Sequence, residues 1–411
     1  MDVGIEAVNA YVGRASLDVR TLFEARGLDV RRFDNLMMRH KSVNLPCEDA
    51  VTNAVNAARP LVEALTPAER ERIELVVVGS ESGVDFGKPL STYVHEALGL
   101  GRRCRSFETK HACYGGTAAL RSAAGILAAG ADPDAKALVI AADASGAAAR
   151  GTYWEPSQGA GAVAMIVGAQ PRILALDAGA SGFHSYQVMD TLRPRPDLEA
   201  GDSDLSLLSY LACLENSYQH YAQRVLGADI VSTFDRLVLH TPFAGMVKGA
   251  HRTLLRKLKG LGTAEIEADF HRRTAASLAY CTQVGNVYSA ALYLALCSLI
   301  DQDGPDAGAR RIGLFSYGSG CASEFYSGIV PEGAAEQLAE LDIAGAIATR
   351  HPLTMPEYEA LADGAAQRMA GVRDQRFDPA EYGDAYRSRF EGRGLLVLDE
   401  IRGFERRYRW S

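Results

Sequence analysis

Cys113 heads the run "CYGGTAALRSAAGILAAG", small and apolar residues whose single charge is Arg121. Two readings of this cysteine compete. A free thiol is among the most buried of side chains and often only packs. Alternatively, the orphan N–H groups and the dipole of a helix N-terminus favour thiolate over thiol, which makes the residue a nucleophile. Three other reactive side chains bear on the choice: Glu81, His240 and Asn286. Taken singly, they read as a solvated loop carboxylate, a structural histidine and a helix N-cap. Their places in the chain argue for chemistry.

Short apolar runs rich in β-branched residues mark buried strands: "ELVVVG" (74–79), "ALVIAA" (137–142), "AVAMIV" (162–167), "RLVLH" (236–240) and "RIGLFSY" (311–317). Continuous runs without alternation predict strands covered on both faces, and helical stretches between them predict an α/β protein. Two of those helical stretches, 113–130 and 286–300, are nearly free of charge, as expected of helices in the interior. Each precedes a buried strand at the same distance. Cys113 to Asp143 and Asn286 to Ser316 both span 30 residues. Upstream, "LVVVGSESG" answers "RLVLHTPFAG", an apolar strand with Glu81 or His240 on the segment that follows. This echo predicts a duplicated α/β unit with two buried central helices. It places Glu81, Cys113, His240 and Asn286 at strand ends and helix starts, where open α/β folds build their sites.

Composition narrows the class. The chain has 411 residues, 47% hydrophobic and 23% charged, ordinary for a globular protein. No apolar run approaches the ~20 residues that span a bilayer, and "MDVGIEAVNAYVG" lacks the features of a signal peptide. Seven cysteines at scattered spacings form neither a disulfide framework nor a CxxC metal pattern. A reduced, cytoplasmic protein is expected. A net charge of −8 argues against general nucleic-acid binding. "LRPRPDLEAGDSD" (192–204) reads as a surface loop, and the C-terminal 80 residues read as exposed helices.

With these motifs in order, the chain resembles the thiolase-like superfamily and, within it, the 3-hydroxy-3-methylglutaryl (HMG)-CoA synthases. "VVVGSESGVDFGK", "KHACYGGTAAL", "EPSQGAGAVAMIV", "LHTPFAGM", "GNVYSAALYLAL" and "LFSYGSGCASEFYSG" carry the resemblance over nearly the whole chain. It implies a five-layered αβαβα fold of two similar halves, residues 1–170 with Glu81 and Cys113, and residues 171–411 with His240, Asn286 and a C-terminal helical extension. It also implies a homodimer and no metal or redox cofactor. Cys113 would accept an acetyl group, Glu81 would act as general acid/base, and His240 would bind and polarise the acceptor. Asn286, with Ser316 and Gly318, would hold substrate near the thiolate.

Within that family, "ETKHACYGGTAAL", "SGVDFGKPLSTYVHEALGL" and "MVKGAH" resemble the HMG synthases of polyketide β-branching, whose substrates ride on acyl carrier proteins. Gly245 stands where CoA-using relatives have a lysine, His111 where many have Glu or Asn, and Ala147 where bacterial CoA-using members have Tyr. The implied partners are a donor and an acceptor carrier protein, each presenting acyl-phosphopantetheine. Lys248, Arg252 and Arg256 form a basic stripe at helical spacing opposite Val247, Ala250, Leu254 and Leu258. With Arg32, they are the candidates for docking an acidic carrier. Three alternatives stay open at this point: an HMG-CoA synthase of primary metabolism, a decarboxylating ketosynthase, and a catalytically inert partner subunit. Glu81 argues against the ketosynthase, and the presence of Cys113, Glu81 and His240 together argues against the inert subunit.

Overall fold

The β-branched runs pair into one nine-stranded sheet in a computed structural model that describes residues 3–144 and 149–411. Its strands in chain order are β1 (Gly4–Val12), β2 (Ile73–Gly79), β3 (Arg105–Thr109), β4 (Lys136–Asp143), β5 (Gly161–Gly168), β6 (Leu174–Ser185), β7 (Arg236–Leu239), β8 (Arg310–Gly318) and β9 (Ala322–Val330). In space they run β7-β8-β9-β6-β1-β5-β4-β2-β3. Within the sheet the two blocks join where β1 pairs with β6, through Gly4–Ala175 and Ile5–Leu174.

The blocks are copies. From the junction outward the first reads β1, β5, β4, β2, β3 and the second β6, β9, β8, β7. Strand β6 matches β1, β7 matches β2, β8 matches β4 and β9 matches β5. The strand sense agrees throughout: β2–β4 and β7–β8 are parallel, while β4–β5, β8–β9, β1–β5 and β6–β9 are antiparallel. In the second block the counterpart of β3 is missing.

Side-chain alternation divides each strand between two layers. Val76, Val78, Leu138 and Ile140 pack under helices α1 (Ala50–Glu63) and α2 (Leu90–Ala97) on one side. Leu75, Val77 and Val139 face the other way, onto α3 (Gly115–Ala128) and α6 (Ala291–Asp303). The second block repeats the division: Val238, Ile312 and Leu314 join the central layer, while Leu237, Leu239 and Phe315 pack under α4 (Ser203–Arg224) and α5 (Ala244–Lys259). The result is the five-layered αβαβα arrangement of the thiolase-like fold. Each fully buried aliphatic side chain contributes about 1.5–3 kcal/mol of transfer free energy, so the central layer carries much of the driving force.

The two central helices are not equivalent. In α6 every residue from Ala291 to Ile300 is buried, as its lack of charge predicts. Helix α3 buries one face only. Gly125 and Ala128 are exposed, and Arg121 reaches across to Glu324 at 2.9 Å. Its small residues serve close backbone approach. A Cβ on Gly116 would lie 2.4 Å from the Ser289 carbonyl oxygen, which only glycine permits.

Two expectations from the sequence are corrected. The C-terminal 80 residues are not simply exposed helices. Besides Met355–Asp363 and Gly383–Arg389 they hold a three-stranded sheet of Gln375–Arg376, Leu396–Arg402 and Glu405–Trp410. Tyr358, Leu361, Phe377, Phe390 and Val397 form a core of their own with Leu17, Val43 and Leu45. Nor is 192–204 a surface loop. It forms the two-stranded hairpin Thr191–Arg195 and Leu198–Gly201 and the start of α4. It stays at the surface, with Arg195, Asp197, Asp202 and Asp204 exposed, and only Arg193 and Glu199 are turned inward by their ion pair.

Strand β4 ends on Asp143, a fully buried carboxylate. Its Oδ1 accepts from the Ser80 hydroxyl (3.1 Å), the Glu81 N–H (2.8 Å) and the Ser82 hydroxyl (2.9 Å). Its Oδ2 accepts from the Ser289 N–H at 3.0 Å and from the Ser289 hydroxyl. One side chain thus ties the Glu81 segment to the start of α6 in the other block. Replacing Asp143 with Ala strands these donors in a buried site and is expected to lower the unfolding free energy by about 3 kcal/mol. Urea denaturation checks this; a loss below about 0.5 kcal/mol would show that the hub is dispensable.

Candidate active site

Glu81, Cys113, His240 and Asn286 all line one cavity of about 1250 Å³, where the two blocks meet at their strand ends. Glu81 follows β2, His240 follows β7, Cys113 precedes α3 and Asn286 precedes α6. The duplication therefore delivers one residue of each pair from each half.

Cys113 sits on a tight turn. Ala112 before it has φ of 41°, a left-handed conformation that costs a non-glycine residue about 1–3 kcal/mol. The turn closes with Tyr114 N–H donating to the His111 carbonyl (3.0 Å) and Gly115 N–H to the Ala112 carbonyl (3.1 Å). Beneath it lies Gly318, where a Cβ would come within 2.4 Å of the His111 carbonyl oxygen and 2.6 Å of the Tyr114 nitrogen. The thiol does not behave as a helix-end thiolate. Burial, then Glu81, Asp143 and Glu199, push its pKa well above the ordinary cysteine value. At rest Cys113 is the neutral thiol, because low dielectric and the neighbouring carboxyl groups outweigh the helix end.

Glu81 is held high as well. Burial raises its pKa to about 8; Arg193 lowers it, while Asp143 and Glu199 raise it. Arg193 Nη2 lies 3.2 Å from Glu81 Oε1 and 3.0 Å from Glu199 Oε2. Arg193 and Glu199 come from the hairpin read in sequence as a surface loop. No motif or periodicity marks them; only tertiary structure brings them to the cavity.

His240 is kept neutral, its pKa pushed down to about 3 by burial. Its backbone is fixed by its N–H donating to the Phe315 carbonyl (2.8 Å) and by Tyr210 hydroxyl donating to its carbonyl (2.7 Å). The imidazole makes no hydrogen bond among the described residues, so a ring N–H is available to a ligand. Asn286 serves two purposes. Its Oδ1 accepts from Tyr288 N–H at 2.9 Å, capping the turn into α6, and its amide group lines the cavity. His111 also lines the wall, with Nε2 buried and unpartnered among the described residues.

Two expected substrate contacts have a different place. Ser316 and Gly318 do not line the cavity. Ser316 is buried, accepting from Thr117 at 2.8 Å, and so braces α3 against β8. Both lie under the nucleophile turn because β8 runs beneath it; Tyr317 and Ser319, flanking Gly318, reach the cavity.

The expected docking residues divide. Arg32 is exposed on the rim, its guanidinium 5.4 Å from the Tyr153 ring centre. Lys248 is already paired with Glu267 at 2.6 Å. Arg252 and Arg256 are exposed, without a carboxylate partner among the described residues, and do not line the cavity. They lie roughly 9 and 15 Å beyond the cavity residue Met246 along α5. Gly245 has a direct reason: a Cβ there would be 1.7 Å from the Asn35 carbonyl oxygen, so the segment carrying Arg32 occupies the space a longer side chain would need. Ala147 lies outside the described residues. Among those described, no group of three or more His, Cys, Asp or Glu side chains is arranged to hold a metal ion.

A thiol nucleophile, a desolvated carboxylate and a neutral imidazole in a thiolase-like fold define an acyltransferase that can form a carbon–carbon bond. Residues 1–172 match the hydroxymethylglutaryl-coenzyme A synthase N-terminal family and residues 253–379 its C-terminal family. The chain is 50% identical, over its full length and 99% of the relative, to the polyketide biosynthesis 3-hydroxy-3-methylglutaryl-ACP synthase PksG of Bacillus subtilis. It is 36% identical, over 88% of its length and 91% of the relative, to the hydroxymethylglutaryl-CoA synthase of Enterococcus faecalis. It superposes on the curacin biosynthetic pathway HMG synthase in complex with acetyl donor-ACP with a TM-score of 0.97, at 51% identity and covering 100% of both chains. The chain belongs to the hydroxymethylglutaryl-CoA synthase family.

With Glu81 as the base, the condensation rate should rise with pH, because the carboxylate must be ionised to take a proton. Half of the maximal single-turnover rate is expected near pH 8. A stopped-flow or quench-flow pH series checks this, and Glu81→Gln should remove at least about 100-fold of the rate.

Proposed function

We propose that this enzyme is the HMG synthase of a polyketide β-branching system. The observation that carries the reading is the full-length similarity, 50–51%, to two synthases of polyketide pathways. Similarity to MvaS in complex with 3-hydroxy-3-methylglutaryl coenzyme A is lower, at 34% identity.

An acetyl-carrier protein presents its thioester to Cys113. The thiol adds to the carbonyl, its proton leaves with the departing pantetheine sulfur, and the exchange is nearly isoenergetic. Glu81 then removes a proton from the acetyl methyl, and the enolate oxygen is met by the Cys113 backbone N–H. The enolate carbon attacks the β-ketone of an acyl chain on the acceptor carrier. Neutral His240 donates its N–H to the ketone oxygen, as a buried imidazole of depressed pKa does best. Protonated Glu81 returns its proton to the alkoxide. Asn286 holds the thioester. Water finally hydrolyses the bond to Cys113 and leaves a 3-hydroxy-3-carboxymethyl-acyl carrier.

Further parts of the reading rest on surface features. Arg32, Arg252 and Arg256 dock the acidic donor and acceptor carriers, with Lys248 contributing only if it leaves Glu267. A homodimer covers the exposed small-residue face of α3 and the open edge of β3. The chain divides near residue 170 into two halves, supported by the repeated strand order. The enzyme works in the cytoplasm, beside its carriers; no helix among the described residues is long and apolar enough to cross a membrane.

Intact-protein mass spectrometry after mixing with acetyl-carrier protein should show one added acetyl group, absent in Cys113→Ala. Acetyl-CoA at equal concentration should label far more slowly; equal labelling would return the enzyme to primary metabolism. Charge reversal at Arg256 should raise KM for the carrier-bound donor about three- to tenfold with kcat unchanged, as loss of a rim charge does. Unchanged kinetics would remove Arg256 from the docking surface.

A further inference from the structure

The hairpin Thr191–Arg195 and Leu198–Gly201 brings one cation to the cavity and shares it between two carboxylates. Arg193 Nη2 lies 3.2 Å from Glu81 Oε1 and 3.0 Å from Glu199 Oε2. Its Nη1 donates to the main-chain carbonyl of Glu81 at 3.3 Å. The guanidinium lies 5.4 Å from the Tyr288 ring centre, so it is held against a flat face. Glu199 is itself anchored, its Oε1 accepting from Gln158 Nε2 at 2.9 Å. Glu81 Oε2 has no hydrogen-bond partner among the described residues.

We infer that Arg193, anchored by Glu199, is the positioning residue for methyl deprotonation: it clamps Oε1 and the main chain of Glu81 and leaves Oε2 to take the proton. The inference rests on the reading of Glu81 as the base. The step balances simply. Oε2 accepts the methyl proton, the C–H electron pair becomes the enolate double bond, and the same proton later passes to the new alkoxide. A carboxylate free to rotate would offer either oxygen and would lose the near-attack geometry.

Charge enters alongside geometry. The groups around Glu81 are Arg193 and Glu199 from the hairpin, Asp143 from β4, the Cys113 thiol before α3 and Tyr288 before α6, with the imidazole of His240 elsewhere on the same cavity. Glu108 and Lys110 lie beyond them on the cavity wall. Of the charged neighbours that act on Glu81, Arg193 favours its ionised form, whereas Asp143 and Glu199 oppose it. Removing Arg193 or Glu199 must therefore move the ionisation of Glu81 in opposite directions. A merely structural hairpin would not produce opposite signs.

The test uses the full-length enzyme, acetylated on Cys113 by acetyl-carrier protein and then mixed with a β-ketoacyl carrier across pH 6–10. Arg193→Gln should shift the rising limb of the single-turnover rate up by about one pH unit, about tenfold slower below the limb. Glu199→Gln should shift it down. Arg193→Lys, which keeps the charge, should restore the wild-type limb with a lower plateau. If Arg193→Gln does not fold, the downward shift in Glu199→Gln decides alone. Limbs that stay in place, or move in the same direction, overturn the inference while leaving the proposed function intact, provided Cys113 is acetylated in the same samples. Absence of acetylation in the wild type overturns both.

Discussion

Everything at the site hangs on one buried carboxylate. Asp143 gathers donors from the Glu81 segment on one oxygen and from Ser289 on the other. Two of the reactive groups, Glu81 and Asn286, stand on the segments that this contact joins, the one after β2 and the turn before α6. Beside it, the two blocks are joined by the β1–β6 pairing, by Arg121 with Glu324 and by Thr117 with Ser316. The cost is a charge in the interior, and burial raises the pKa of Asp143 itself. Donors from five groups offset that cost, and the hub is stable because every one of them is directed at it.

The same low dielectric does the chemical tuning. It lifts the carboxyl of Glu81, suppresses the charge on His240 and keeps Cys113 as thiol. A single environment thus gives a carboxyl that can hold a proton at neutral pH, an imidazole that stays neutral and a thiol that stays protonated. The change matters most for Glu81: in water a glutamate would be fully ionised at neutral pH, whereas here burial lets it hold a proton. The nearby cation on Arg193 keeps the accumulation of negative charge within bounds.

The mouth of the cavity is built from parts of the chain that stand apart from the duplicated strands. The close approach of Asn35 to Gly245 seats the segment bearing Arg32 against the start of α5. On the opposite wall, Arg368 and Met369 from the C-terminal region line the cavity, and that region is locked to β-structure near the N-terminus by its own apolar core. The cavity is therefore walled by three separate parts of the chain, two of which lie outside the duplicated unit.

Much of this was legible in the sequence. Continuous β-branched runs identified the strands because both of their faces are buried, and the equal spacing from Cys113 to Asp143 and from Asn286 to Ser316 exposed the duplication. Glu81, Cys113, His240 and Asn286 were legible because duplication puts reactive residues at matching strand and helix ends. Other features were decided only by the tertiary structure. Arg193 and Glu199 carry no periodic signal, since an ion pair is made by distance in space and not by spacing in the chain. The polar composition of 192–204 pointed to solvent, and most of its charges are exposed, yet Arg193 and Glu199 pair at the cavity instead. Ser316 and Gly318 kept their strand but lost their expected contact with the cavity, because which side of β8 meets the nucleophile turn depends on how two blocks stack. Local pattern determined the elements and their chemistry; the electrostatics of the site came from packing, which brings charges distant in sequence into one region of low dielectric.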